Sequence, residues 1–174
     1  IEQSGTMEKG VEYVSNYVNY DYFSEDVYTQ QQSQYSAAEE KYRKYVYDTY
    51  LDLPISTKEK LKTIAKQNNL YAQNTTIIKD VRDYIRQAAK YDLQAVPSLS
   101  EDAIIQFLTV DKRGVCRHFA SAATAMYRAL GIPARYTTGF YVKTEAGSYV
   151  DVKEGHAWVE VYIEELGWVT FDPT

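Results

Sequence analysis

The stretch from Gly114 to Thr174 constrains this chain most, because a single amphipathic helix runs into strand-like segments with almost no sequence between them. Cys116, Phe119, Ala120, Ala123, Met126, Tyr127 and Leu130 recur at three- and four-residue steps, which predicts a helix over 116–130 with one apolar stripe. Gly131 follows where a helix C-cap belongs. Residues 134–142, 157–163 and 168–171 are rich in β-branched and aromatic side chains and predict three strands. Glu164-Glu-Leu-Gly167 reads as a hairpin connection between the last two. Strand parity puts His156, Trp158 and Glu160 on one face, and Trp168, Thr170 and Asp172 on one face of the next strand. Antiparallel pairing through so short a hairpin brings His156 beside Asp172.

Upstream the patterning is helical. Residues 36–50 alternate charges. Pro54, Ser56 and Thr57 are expected to cap a helix over 58–67, with Leu61, Ile64 and Ala65 on one face. Residues 74–90 line up Ile77, Ile78, Val81, Tyr84, Ile85 and Ala88, and Ser98 with Glu101 resembles a capping box before Ile104, Ile105, Phe107 and Leu108. Helices first and strands afterwards indicate an α+β fold, a helical N-terminal half followed by an antiparallel sheet.

The 174 residues, 45% of them hydrophobic, fit one globular domain with a sizeable core, here assigned to 36–174, preceded by an arm or linker over 1–35. That arm holds six acids and one lysine, so the net charge of −5 sits there; the 18 acids and 18 basic residues that follow balance. It also carries Tyr13, Tyr17, Tyr20, Tyr22, Phe23, Tyr28 and Tyr35, and is expected to dock through its rings or to link to an upstream part. With no basic stripe, nucleic-acid binding is not expected. No apolar run is long enough for a membrane span or secretory signal.

The chemistry rests on three residue types. A thiol near pKa 8.5 needs an adjacent imidazole to become a thiolate, and a carboxylate to orient that ring. Cys116, His156 and Asp172 supply them in that order. The start of a helix adds a second activating term for Cys116, and its backbone amide, behind the polar turn Asp111-Lys-Arg-Gly114, is free to donate to an oxyanion. Each residue also has a plainer reading: Cys116 as a small buried hydrophobe, His156 as a strand-end histidine, Asp172 before Pro173 as a turn initiator, His118 as a flank residue near the first turn of the helix. One cysteine and two histidines are too few for a structural zinc site, and no metal or cofactor is expected.

Taken together, Gly114-x-Cys116-x-x-Phe119-Ala120, Arg128-Ala-Leu-Gly-Ile-Pro-Ala-Arg135, His156-Ala-Trp158-Val-Glu160 and Gly167-Trp168 through Asp172-Pro-Thr174 resemble the transglutaminase-like (papain-like) cysteine superfamily over roughly residues 75–174. The nearest subset is the bacterial transglutaminase-like domain of large cell-envelope proteins, in which Asp-x-x-x-x-Phe-Leu precedes the cysteine block, as Asp102 to Leu108 does here. The resemblance implies a papain/transglutaminase core with Cys116 as nucleophile, His156 as general base and acid, and Asp172 as orienting carboxylate. Tyr91 aligns with a residue that helps hold the oxyanion, and Gly114 and Trp158 border the substrate.

The implied activity is acyl transfer or hydrolysis on peptide, isopeptide or glutamine amide bonds through a thioester, on a protein or peptide substrate. It also implies an extracytoplasmic setting within a larger membrane-anchored chain, possible truncation of the sheet after Thr174, and no particular oligomeric state; single-cysteine usage fits an oxidising exterior and a reducing cytosol alike. Two rivals stand beside it. A different Cys-His-Asp acyltransferase, resembling the arylamine acetyltransferases, is opposed by Gly131-Ile-Pro-Ala-Arg135 and the His-Ala-Trp block. A non-catalytic scaffold domain of an envelope protein has no physical need of all three groups.

Overall fold

The computed structural model describes residues 36–96, 100, 102–140, 155–164 and 166–174. The expectations for the arm over 1–35, for Ser98 and Glu101, for 141–142 and for Glu165 of the hairpin lie outside them. Three helices come first: α1 (Ala37–Thr49), α2 (Ile55–Gln67) and α3 (Ile77–Ala88). A two-residue strand β1 (Lys90–Tyr91), a short helix α4 (Ala103–Gln106) with a π-helical turn over Phe107–Asp111, and a second short strand β2 (Arg113–Gly114) lead into α5 (Cys116–Ala129). Strands β3 (Ala134–Phe140), β4 (Gly155–Ile163) and β5 (Gly167–Phe171) form an antiparallel sheet in the order β3-β4-β5. The helices-then-sheet order is the expected α+β arrangement.

Caps set the helix starts, and the one at α2 differs from the sequence expectation. The Ser36 side chain accepts from the Glu39 amide while the Glu39 carboxylate accepts from the Ser36 amide, a reciprocal capping box. At α2 no side-chain cap forms: Pro54 takes the N-cap position, and Ser56 and Thr57 lie inside the first turn. Proline fits there because it lacks the N–H that a cap would have to satisfy. The Thr57 hydroxyl donates instead to Asp102 Oδ2 at 3.2 Å, and Lys60 pairs with the same oxygen. Asp102 is itself the N-cap of α4, its Oδ1 accepting from Ile105 N. One carboxylate thus starts α4 and ties it to α2.

The core lies on the inner face of α5. Leu61 and Ala65 of α2, Val81 and Ile85 of α3, Phe107 and Leu108, and Phe119, Ala123, Met126 and Tyr127 of α5 form one buried cluster with Ala134, Val159 and Val161 of the sheet. The small side chains of α5, Ala120, Ala122, Ala123, Ala125 and Ala129, let it approach the sheet and the two helices at once. The buried Tyr127 hydroxyl donates to the Ile78 carbonyl at 2.6 Å.

The opposite face of the sheet is covered by α1. Tyr42 and Tyr47 pack edge-on against Tyr162, and Tyr50 against Trp168 at 4.8 Å, while Trp168 Nε1 donates to the Tyr42 hydroxyl. Among the described residues no helix is long and apolar enough to cross a membrane.

Candidate active site

The turn after α5 decides what lies at its other end. Gly131 takes φ +82°, a left-handed conformation open to glycine, and Ile132 N donates back to Tyr127 O. Arg128 Nε donates to Ala134 O at 2.8 Å, so β3 begins beside the C-terminal end of α5. A helix of 14 residues and a strand of seven are each about 20 Å long. Running back from that turn, β3 and its neighbour β4 pack against α5. The far end of β3 pairs with the start of β4, Gly139 opposite His156 and Phe140 opposite Gly155.

His156 and Asp172 are joined there. The register of β4 and β5 sets Val159 opposite Phe171, so one step further Trp158 faces Asp172 and His156 reaches it diagonally. His156 Nε2 lies 2.8 Å from Asp172 Oδ2. An ionised carboxylate only accepts, so the proton of this bond is on Nε2, and Nδ1 of the neutral ring is left to accept a proton. The other carboxylate oxygen, Oδ1, accepts from Thr174 N at 2.9 Å across Pro173. Asp172 is therefore both a turn initiator and the partner of His156, two readings that the sequence had left as alternatives.

Cys116 is half-buried at the first position of α5, and its backbone amide has no hydrogen-bond partner among the described residues. Nor does a hydrogen bond join it to His156 among them; such contacts are often long before substrate binds. The cysteine turn is braced from both sides. On one side β1 and β2 pair in parallel, with Tyr91 opposite Gly114 and Asp92 N donating to Gly114 O at 2.8 Å. The Asp92 carboxylate accepts from Gln94 N and pairs with Arg113; the Gln94 amide first, and Arg113 with it, hold it below the usual carboxylate range. The Tyr91 ring stacks on Phe119, three residues from Cys116 and so on the same side of the helix.

On the other side stands His118. Its Nδ1 accepts from Val115 N at 3.0 Å and its ring stacks on Phe107, so it caps the helix start and is more than a flank residue. A Cβ on Gly114 would fall 2.8 Å from the His118 Cβ and Cγ, which is the reason for glycine there. Burial first, then Arg117, lower the His118 pKa from the ordinary histidine value.

Trp158 stacks beside His156 at 6.3 Å. Its Nε1 is buried with no partner among the described residues, and the face of its ring lies towards the imidazole. Sequence reasoning missed Tyr136. It faces Val159 across the ladder, on the side of the sheet that packs against α5. Burial first, then the nearby Cys116 side chain, raise its phenol above the ordinary tyrosine value, with Arg117 acting in the opposite sense. Two-residue alternation from the buried Ala134 was the signal that pointed to it.

Comparison with known proteins adds a separate finding. Residues 61–173 match the family model of the transglutaminase-like superfamily. YebA, an uncharacterized protein of Bacillus subtilis, is 38% identical over 143 residues, 73% of this chain and 19% of that protein. A protein-glutamine gamma-glutamyltransferase of Pseudomonas aeruginosa is 31% identical over 71% of this chain and 19% of its own length. The chain thus spans about a fifth of these relatives. The crystal structure of the periplasmic domain of TgpA from Pseudomonas aeruginosa, bound to ethylmercury, superposes with a TM-score of 0.64 at 29% identity, over 75% of this chain and 49% of that one.

Proposed function

Because this chain belongs to the transglutaminase-like superfamily, we propose that it is a cysteine-dependent acyltransferase or hydrolase acting on glutamine, peptide or isopeptide amide bonds. The observation that carries this reading is the His156–Asp172 hydrogen bond, at the end of a sheet that packs against the helix begun by Cys116. An imidazole with Nε2–H given to a carboxylate is oriented to accept the thiol proton on Nδ1.

In the proposed cycle His156 Nδ1 takes the Cys116 proton and the thiolate adds to the amide carbonyl carbon. The Cys116 amide, with the Tyr91 hydroxyl, donates to the oxyanion, a contribution of about 3 kcal/mol per donor. Collapse of the tetrahedral adduct breaks the C–N bond, the Nδ1 proton leaves with the amine, and a Cys116 thioester remains. An incoming amine or water then gives its proton to Nδ1 and attacks the thioester, and the thiol is regenerated. Asp172 stabilises the imidazolium that forms in both halves. The periplasmic setting of TgpA supports an extracytoplasmic location; a place within a larger, membrane-anchored chain belongs to the same proposal.

The test is the rate of Cys116 alkylation by iodoacetamide against pH in wild type, His156→Ala and Asp172→Ala, with melting curves alongside. Reactivity persisting well below the free-thiol pKa of about 8.5, and lost in both folded variants, is the expected result. A thiol of ordinary reactivity, indifferent to His156, removes the catalytic reading and leaves the scaffold one.

A further inference from the structure

The geometry points to Gly139 and Trp158 as a positioning pair for the His156 imidazole, with glycine needed at 139 because its bare Cα gives the indole its seat. This inference rests on the reading of His156 as the base.

Gly139 is the cross-strand partner of His156, and Trp158, two residues along β4, is the partner of Thr137 on the same face. The indole does not stand over Thr137 alone. It leans diagonally across the ladder until its outer edge covers Gly139: a Cβ built on residue 139 would fall 2.6 Å from Cη2 and 3.3 Å from Cζ3. Backbone conformation does not demand glycine here. Gly131 and Gly167 have φ of +82° and +78° with open space around them, whereas Gly139 lies outside that left-handed range and is short of space. Size is therefore the constraint.

Leaning this way brings the indole next to the imidazole, the rings 26° from parallel. Packing over Gly139 sets the lean of the indole, whose outer edge fills the space that a Cβ at 139 would take. His156 is then restrained twice, by Asp172 at Nε2 and by the indole beside the ring. The hydrogen bond and the neighbouring ring favour the same imidazole orientation, and with it one direction for Nδ1.

The experiment compares wild type, Gly139→Ala, Trp158→Phe, the double variant and His156→Ala. It reads the pH profile of Cys116 alkylation by iodoacetamide, the downfield N–H resonance of the His156–Asp172 bond, and melting. Gly139→Ala should lower alkylation at pH 6.5 by on the order of tenfold or more, the effect of a misplacement of about 1 Å, and weaken the resonance. Trp158→Phe withdraws the atoms that the new Cβ meets, so Gly139→Ala should cost little in that background, a non-additive result. Equal losses in both backgrounds, or a wild-type profile and resonance in Gly139→Ala, overturn the pairing. Should Gly139→Ala fail to fold, Trp158→Phe decides alone: the resonance is expected to weaken, and an unchanged one refutes the idea. Wild-type alkylation indifferent to His156→Ala removes the base assignment, while the resonance still reads the positioning. Dependence on His156 without dependence on either partner removes the positioning alone.

Discussion

At the scale of single residues, the two oxygens of Asp172 have separable tasks. Oδ2 meets His156 Nε2 and Oδ1 holds the Thr174 amide. Asp172→Asn keeps an acceptor for the turn but can present an N–H to Nε2, which drives the ring proton to Nδ1, the nitrogen that must accept from Cys116. Turnover should fall by about 10³ to 10⁴ with little change in melting, and alkylation at neutral pH should drop to that of a free thiol; a variant as reactive as wild type excludes the orienting role. His118 yields a pH prediction. Its lowered pKa means that the folded state favours the neutral ring, which also keeps Nδ1 as acceptor for Val115 N. The unfolded chain binds that proton more readily, so this stabilisation is complete above the unfolded value of about 6.5 and fades as pH falls below it. Melting curves from pH 8 to 5.5 should show wild type losing more than His118→Gln on acidification. Parallel curves would contradict it.

Among the elements, α5 does the positioning and α1 does the covering. The apolar period of α5 was legible because one stripe faces one core, and its boundaries followed from Gly114 before it and Gly131 after it. Less legible was the cap of α2, where Pro54 stands in place of the expected Ser56 and Thr57, because several adjacent residues can cap and tertiary contacts choose among them. The two-residue ladder of β1 and β2 left no periodic trace at all, since two residues cannot display a period. For α1, the aromatic seam with Tyr162 and Trp168 implies a role in stability apart from the site. Trp168→Ala should cost about 2 to 3 kcal/mol in chemical denaturation while leaving the pH profile of Cys116 alkylation unchanged. A changed profile would mean that α1 reaches the site through the sheet.

For the whole molecule, one cluster spans α2, α3, α5 and the sheet, so these should unfold together. Both tryptophans, Trp158 and Trp168, report on the sheet, whereas far-ultraviolet dichroism reports mainly on the helices. Urea transitions followed by the two signals should coincide, and Leu61→Ala, at a fully buried position of α2, should shift both by the same amount, about 3 kcal/mol. Separated transitions would show that the helices and the sheet are independent units.

Element order, the helix that begins at Cys116, the face shared by His156 and Trp158, and the pairing of His156 with Asp172 were readable from the chain alone, because periodicity and a short hairpin are local properties. Tertiary packing was needed to learn that Asp172 meets His156 diagonally, that Tyr136 lies on the α5 side of the sheet, that His118 fills the space above Gly114, and that the Trp158 indole lies across Gly139. Those contacts join residues on different elements, and their geometry depends on strand register and on the packing of α5 against the sheet, which no local pattern encodes.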